Sequence, residues 1–223
     1  MQCVYGKTVL TAELRDGLPA ELLAGFAPCL GWKRRTLTIG RFEAGLAPEV
    51  AGRRREPAVE LDAVPEYLAW LFAAPSQAVP ATRDTAAVLG WVREELADWH
   101  PALRRIVGEA EVSSVVRTAI RSARPVAAWP TSRVTLLGDA IHAMTPAGGI
   151  GANTALRDAA LLARSLAGVM VKGDVIATIA GYEGEMREYG FAAAERSLRS
   201  AAPLYQIDVE AMTSRRASSE EER

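Results

Sequence analysis

The segment over residues 134–167 constrains the fold of this chain most, because an apolar run, a glycine-rich loop and a long helical pattern follow one another in it. Residues 134–137 do not alternate between polar and apolar, which is typical of a strand buried on both faces of a parallel sheet. Open α/β sheets bind ligands where such strands end, and Asp139 stands at that point as a hydrogen-bond acceptor. Glycines let the loop approach a ligand, and the following helix directs free N–H groups and its positive dipole end towards the loop. The segment therefore predicts a site for a polar, partly anionic cofactor that carries hydroxyl groups.

The same segment resembles the second FAD-binding motif of the flavin-dependent aromatic hydroxylases, the single-component monooxygenases of the p-hydroxybenzoate hydroxylase type. The family pattern is roughly G-D-A-x-H-x-x-x-P-x-x-G-x-G-x-N-x-x-x-x-D-A-x-x-L. The sequence fills its fixed positions in order with Gly138, Asp139, Ala140, His142, Pro146, Gly149, Gly151, Asn153, Asp158, Ala159 and Leu162. So many fixed positions make the match far more specific than a lone G-x-G. The resemblance continues more loosely over residues 99–103 and 180–189.

The resemblance implies an FAD site and assigns residues to it. The expected cofactor-binding residues are Gly138, Asp139, Pro146, Gly149, Gly151, Ala152 and Asn153. Asp139 corresponds to the family position that contacts the ribityl chain of the flavin; the alternative is that it is only a turn residue or a helix cap. Pro146 corresponds to a position at the edge of the flavin ring, or it simply makes the loop rigid. The N–H groups of residues 151–153 would face the pyrimidine end, where a helix N-terminus stabilises negative charge on the reduced ring.

Two polar residues of the motif have less definite roles. His142 is expected to be a packed histidine near the flavin rather than a proton-transfer residue. For Asp158, a structural hydrogen bond from within the helix and a contact with the cofactor are equally good interpretations. We therefore expect no catalytic side chain in this sequence, in agreement with a family in which the cofactor supplies the reactive group.

The resemblance also implies a reaction. In that family NAD(P)H is the co-substrate that reduces FAD, and one oxygen atom of O2 is transferred to an aromatic or other small organic substrate. The expected function is therefore that of an FAD-dependent monooxygenase, an oxidoreductase that acts on a small molecule. Two alternatives stay open: a non-catalytic, truncated remnant of such an enzyme, and another flavoprotein on the same scaffold, such as a halogenase or a reductase.

Other signatures of the family are missing from the sequence. No G-x-G-x-x-G turn follows a strand, and the dipeptide Asp16-Gly17 comes after a polar, helix-like stretch, so it predicts a helix stop rather than the family's D-G motif. The expected fold class is mixed α/β: a partial p-hydroxybenzoate hydroxylase-like FAD/NAD(P)-binding fold that lacks the amino-terminal dinucleotide-binding βαβ unit. The sequence is accordingly expected to be the carboxyl-terminal fragment of such an enzyme, with an incomplete FAD site and no activity by itself.

Three regions are expected along the chain. Residues 1–125 would form most of the substrate-domain sheet with its covering helices, residues 126–217 the carboxyl-terminal part of the FAD-binding domain, and residues 218–223 a disordered tail. Residue patterns predict strands at 35–42 and 111–121, and helices at 61–72, 85–99, 153–169 and 176–198. The charged run at residues 53–56 is expected in a solvated loop.

Composition and charge exclude several classes of protein. The chain has 223 residues, 49% of them hydrophobic, which is enough for one substantial core. Its 26 basic and 27 acidic residues leave a net charge of −1, which argues against binding to nucleic acid and against a basic membrane patch. No apolar run is long enough to span a membrane and residues 1–10 lack the layout of a signal peptide, so we expect a cytoplasmic location. Cys3 and Cys29 are expected to be unpaired thiols, and no metal site is expected.

A liability is expected at the strand predicted for residues 134–137. In the family its neighbours include strands that this sequence does not supply, so its edge and its apolar surface would be exposed. We therefore expect the chain either to be marginally stable and prone to aggregation, or to self-associate through that sheet edge.

Overall fold

The computed structural model describes residues 1–169 and 174–208, and the chain divides into two compact units, Met1–Ala119 (unit 1) and Ile120–Arg223 (unit 2). The strands of unit 1 are β1 (Gln2–Val9), β2 (Phe26–Leu30), β3 (Thr36–Phe42), β4 (Tyr67–Ala74) and β5 (Val116–Ala119). They form one sheet in the order β2-β3-β4-β1-β5, in which every pairing is antiparallel. The mixed α/β class is confirmed, whereas the parallel sheet expected from the sequence does not occur within residues 1–169 and 174–208.

Helices make up most of the remaining regular structure. Those of unit 1 are α1 (Ala12–Asp16), α2 (Ala20–Leu23), α3 (Pro48–Arg55), α4 (Thr85–Glu95) and α5 (Pro101–Gly108), with a 3₁₀ turn at Val112–Ser114. Those of unit 2 are α6 (Asp139–His142), α7 (Gly151–Val169) and α8 (Val175–Leu204), with a 3₁₀ turn at Pro146–Gly148. The domain boundary expected at residue 125 stays a prediction, and the tail expected at residues 218–223 lies outside the described residues.

Several helix boundaries follow from local sequence signals. The Thr11 hydroxyl accepts a hydrogen bond from Leu14 N at 3.1 Å, and α1 ends at Gly17, so the Asp16-Gly17 dipeptide is a helix stop as predicted. Aspartates cap the N-termini of α4 and α8 in the same way. The helices predicted at residues 85–99, 153–169 and 176–198 are confirmed as α4, α7 and α8.

An apolar cluster holds unit 1 together, with one face of the sheet packed against its helices. Its members include Val4, Leu37, Ile39, Leu68, Trp70 and Phe72 from the strands and Leu14, Val88, Leu89, Val92, Leu103 and Ile106 from the helices. Phe72 meets Trp91 and Trp99 edge to face, with ring centroids 5.5 Å and 6.4 Å away. Trp91 and Trp99 are partly buried and pack against this cluster.

The helix predicted at residues 61–72 is wrong. Tyr67–Ala74 is β4, and the residues just before it are irregular. Hydrophobic periodicity cannot separate a short, continuous apolar run in a strand from one in a helix. Strand pairing makes this segment a strand, because β4 lies between β1 and β3 and forms backbone hydrogen bonds with both. The strand predicted at 111–121 shortens to β5, and the charged run at 53–56 is exposed but lies mostly in α3 rather than in a loop.

The strand predicted at residues 134–137 is also wrong. This segment pairs with no strand in the described part of the chain, and Val134, Leu136 and Leu137 are 75%, 41% and 42% exposed. An apolar run forms a strand only where neighbouring strands satisfy its backbone groups, and every described strand lies in unit 1. Self-association through an edge of this strand therefore loses its basis, although its apolar side chains are exposed as expected.

Side chains of α8 hold this irregular segment in place. Glu183, which is only 4% exposed, accepts hydrogen bonds from three side chains. They come from Trp129 Nε1 at 3.1 Å, Thr131 Oγ1 at 2.7 Å and Thr135 Oγ1 at 2.8 Å. The neighbouring Tyr182 hydroxyl donates to the carbonyl of Leu136 at 2.9 Å. Directed polar contacts thus replace the missing strand ladder.

Candidate cofactor site

A sharp turn precedes the first residues of the motif. Gly138 has φ 59° and ψ −139°, a backbone conformation that strongly favours glycine. Its carbonyl accepts from the N–H groups of Ile141 at 3.1 Å and His142 at 3.0 Å, which starts the short helix α6. Asp139, the next residue, is exposed, and its carboxylate has no partner among the described residues. The turn therefore presents an exposed acceptor at its tip.

The loop after α6 is anchored by one buried pair of hydroxyl residues. Thr145 Oγ1 donates to the Ser197 carbonyl at 2.9 Å, and Ser197 Oγ donates to the Thr145 carbonyl at 2.6 Å. Pro146, which follows Thr145, starts the 3₁₀ turn and is exposed. Gly149 then takes a left-handed conformation, φ 63°, with no atom within 4 Å of the position of a Cβ. The loop is held from beneath by α8 and is open on its outer side.

The N-terminus of α7 faces outward beside this loop. Gly151 is half-buried, while Ala152 and Asn153 are exposed. The first intrahelical acceptor, the carbonyl of Ile150, is used by Thr154 N at 2.9 Å, so helix geometry leaves the N–H groups of residues 151–153 without an intrahelical acceptor. This helix end can donate hydrogen bonds to a ligand group that lies beyond it, and it favours negative charge on that group.

A fully buried carboxylate connects these elements. Asp158, on α7, is 0% exposed, and its Oδ2 atom accepts from Gly138 N and from His142 Nε2, each at 2.6 Å. Its Oδ1 atom accepts from the hydroxyl of Tyr189, on α8, at 2.5 Å. His142 is 1% exposed, so the packed histidine expected from the sequence is what the structure contains. Asp158 thus makes the structural hydrogen bonds that one of its two interpretations expects.

The tyrosines near this carboxylate stay protonated at neutral pH. Burial, followed by the hydrogen bond to Asp158 and the charge of that carboxylate, raises the pKa of Tyr189. Burial and the charges of Asp158 and Glu183 likewise raise the pKa of Tyr182. Both hydroxyls therefore remain hydrogen-bond donors well into the alkaline range.

The sequence pattern gave no role to one glycine that the structure makes important. A Cβ at Gly190 would lie 2.4 Å from Cδ2 of His142, so α8 can pass the histidine only without a side chain there. A glycine inside a long helix costs stability and was the available signal for such a close approach. No cluster of histidine, cysteine and acidic side chains suited to a metal occurs in the described residues, and no described helix is both long and apolar enough to cross a membrane.

Known families and proteins match this chain. The FAD binding domain family matches residues 90–197. The dual O-methyltransferase/FAD-dependent monooxygenase elcB of Phaeosphaeria nodorum is 32% identical over 91% of this chain. The 6-hydroxynicotinate 3-monooxygenase of Pseudomonas fluorescens is 37% identical over 34% of this chain. Both of these relatives are monooxygenases.

Solved structures agree in fold. A protein of Photorhabdus luminescens assigned as an FAD-containing monooxygenase superposes with a TM-score of 0.76 at 30% identity over 92% of this chain. The chain is thus similar in sequence and in fold to FAD-dependent monooxygenases of the aromatic hydroxylase type. HpxO of Klebsiella pneumoniae, solved with FAD and uric acid, has the same fold as this chain, with a TM-score of 0.63 at 16% identity over 96% of the chain.

The chain spans only part of the length of its relatives. It covers 54% of the Photorhabdus chain, 46% of HpxO and 26% of elcB. The segment that matches the FAD binding domain family includes α6, α7 and most of α8, and so contains the whole G-D motif and Asp158.

Proposed function

We propose that this chain contributes the part of an FAD site that holds the ribityl chain and the pyrimidine end of the flavin, in a monooxygenase that hydroxylates a small organic molecule. NAD(P)H is the proposed co-substrate, and bound FAD would supply the activation of O2. The observation that carries the proposal is the exposed carboxylate of Asp139 on a glycine turn that one buried carboxylate ties to α7. The match of residues 90–197 to the FAD binding domain family supports it.

The described residues fit such a cofactor. Asp139 is an exposed acceptor without a partner among residues 1–169 and 174–208, which suits the hydroxyl groups of a ribityl chain. The open N-terminus of α7 suits a polar group that gains negative charge, as the pyrimidine end of a flavin does on reduction. Gly149 leaves open space on the outer side of the loop, because no atom lies within 4 Å of where a Cβ would be.

Each proposed residue has one task. Gly138 makes the turn, and Asp139 accepts from the ribityl chain. Pro146 lies against the edge of the flavin ring, and Gly149 keeps the loop open. The backbone N–H groups at the start of α7, on Gly151, Ala152 and Asn153, face the pyrimidine end. No side chain of the chain is assigned to proton transfer.

Flavin analogues of different size test this assignment. Riboflavin carries the ribityl chain and lumiflavin has a methyl group in its place, so only riboflavin reports on Asp139. We expect the wild-type chain to bind riboflavin more tightly than lumiflavin in equilibrium dialysis, and Asp139→Ala to lower riboflavin affinity about tenfold, the value of one hydrogen bond to a charged group. Lumiflavin affinity should not change.

The controls are chosen to separate this role from a general effect. Asp98→Ala removes an exposed carboxylate in unit 1 and should leave both affinities unchanged. FAD itself is expected to bind weakly and to be lost on desalting, because the chain spans 54% of a solved relative. Equal riboflavin binding by wild type and Asp139→Ala would refute the proposed role and leave Asp139 as a turn residue.

Self-association is proposed as well, through the exposed side chains of Val134, Leu136 and Leu137 rather than through a strand edge.

The substrate is proposed to be a small molecule, as the uric acid complex of HpxO illustrates for that protein.

A further inference from the structure

A single carboxylate oxygen controls the backbone that carries Asp139. Oδ2 of Asp158 accepts the N–H of Gly138 at 2.6 Å, and the Gly138 carbonyl in turn accepts from Ile141 N and His142 N. Gly138 is therefore fixed on both sides of its Cα atom. Since Asp139 follows directly, the direction of its carboxylate depends on the Gly138 conformation.

The same oxygen also fixes the far end of the short helix. His142 Nε2 lies 2.6 Å from Oδ2, and because a carboxylate only accepts, this nitrogen donates. The other ring nitrogen, Nδ1, is buried and has no partner among the described residues, so it offers no competing arrangement. Asp158 thus holds the residue before α6 and the last residue of α6, and Asp139 lies between them.

Packing leaves this arrangement little freedom. A Cβ on Gly190 would clash with the His142 ring at 2.4 Å, so the ring already touches α8. A Cβ on Gly138 would lie 3.1 Å from that of Ala155, one turn before Asp158 on α7. Turn, histidine and both long helices therefore meet around one buried charge.

We propose that Asp158 is a positioning residue for Asp139, and that it acts through Oδ2 and the Gly138 N–H group. The inference rests on the proposed function, in which Asp139 accepts from the ribityl chain. Asp158 does not touch the cofactor in this scheme. It fixes the backbone of Gly138, which lies 20 residues earlier in the chain, and Gly138 in turn sets the position from which Asp139 contacts the cofactor.

The test variant is Asp158→Asn, which preserves the shape of the side chain. Its amide oxygen can accept from Gly138 and His142, and its NH₂ group can donate to the Tyr189 hydroxyl, so the fold is expected to persist. What is lost is the charge that shortens and strengthens the bond to Gly138.

The matched control is Glu183→Gln. Glu183 is also a buried carboxylate in unit 2, it also accepts from three donors, and it holds residues that we do not assign to the cofactor. Both variants lose one buried charge, so a general loss of stability should affect them alike.

Two measurements are made on each variant. In ¹⁵N–¹H spectra the Gly138 amide proton of wild type should lie far downfield and exchange slowly, although it belongs to a turn. In Asp158→Asn it should move upfield and exchange at least about tenfold faster, with shift changes concentrated at residues 138–142. Riboflavin affinity should fall about tenfold with lumiflavin affinity unchanged, whereas Glu183→Gln should change neither by more than about twofold.

The outcomes separate this inference from the proposed function. Rapid exchange of the Gly138 amide in wild type overturns the inference without any variant. So does an equal loss of riboflavin affinity in Asp158→Asn and Glu183→Gln, which would mean a purely structural role. If wild type shows no preference for riboflavin over lumiflavin, the proposed function fails instead, and the Gly138 amide alone then decides whether Asp158 positions Asp139.

Discussion

The sheet of unit 1 and the irregular segments of unit 2 are held in place by different means. In unit 1, one face of an antiparallel sheet packs against helices through a continuous apolar cluster. In unit 2, buried polar groups hold segments that have no regular structure. Asp158 holds the turn at Gly138, Glu183 holds residues 129–135, and the Thr145–Ser197 pair holds the loop after α6.

The contrast shows what each kind of contact can specify. Apolar burial is not directional, so it stabilises a sheet whose geometry is already fixed by its own hydrogen bonds. A buried carboxylate with several donors specifies one arrangement of the groups around it, and it leaves a large cost if a partner is removed. Unit 2 therefore keeps an open loop and a free carboxylate in defined positions, which a binding site requires.

The largest expected effect lies in the apolar cluster. Phe72→Ala should lower the free energy of unfolding by about 3–5 kcal/mol, because the ring is fully buried and contacts two tryptophans. Urea unfolding followed by tryptophan fluorescence measures it. Phe26→Ala, at a ring that is 65% exposed, should change stability by less than about 0.5 kcal/mol. A similar cost at both positions would mean that this cluster is not what stabilises unit 1.

The next effect concerns two glutamates on one helix. Glu183→Ala should cost about 2–3 kcal/mol, because three donors lose their acceptor at a buried position. Glu185→Ala, two residues away, removes only an exposed ion pair with Arg157 at 3.7 Å and should cost less than about 0.5 kcal/mol. Thermal and urea unfolding measure the loss of stability in both variants. Equal losses would contradict the view that polar contacts hold the irregular segments of unit 2.

Alanine substitutions at two glycines of α8 should change the free energy of unfolding in opposite directions. Gly184→Ala adds a methyl group at an exposed position of the helix, where no atom lies within 4 Å, and should stabilise by about 0.5–1 kcal/mol. Gly190→Ala should destabilise by about 1–3 kcal/mol, because His142 is held by Asp158 and cannot move away from the new Cβ. The comparison is made by unfolding in urea, and stabilisation by both substitutions would show that the histidine is free to move.

The smallest effect on stability is expected at an exposed apolar side chain. Val134→Asp should change the free energy of unfolding by less than about 0.5 kcal/mol, since this residue is 75% exposed. Sedimentation velocity should nevertheless show less self-association than in wild type. A wild-type chain that is monomeric at all concentrations would end the proposal of self-association.

Sequence patterns predicted the amphipathic helices α4, α7 and α8 and the strand β3, because each pattern has the period of its own element. They failed at residues 61–72 and 134–137 for one shared reason. A short, continuous apolar run predicts that its side chains are buried, but it does not specify which element buries them. At β4 two neighbouring strands cover the run, whereas residues 134–137 have no strand beside them in the described chain and stay irregular.

The sequence by itself indicated the similarity to FAD-dependent monooxygenases, through the fixed positions of the G-D motif from Gly138 to Leu162, and with it the residues to which an FAD site is assigned. Only the tertiary structure decided the role of Asp158, because its three donors come from a turn, a short helix and a second long helix. It also decided that Gly190 is needed, since the clash it avoids is with a histidine 48 residues earlier in the chain. Residue spacing determines which side chains share a face of one helix or strand. Contacts between elements depend on how those elements pack, which residue spacing does not specify.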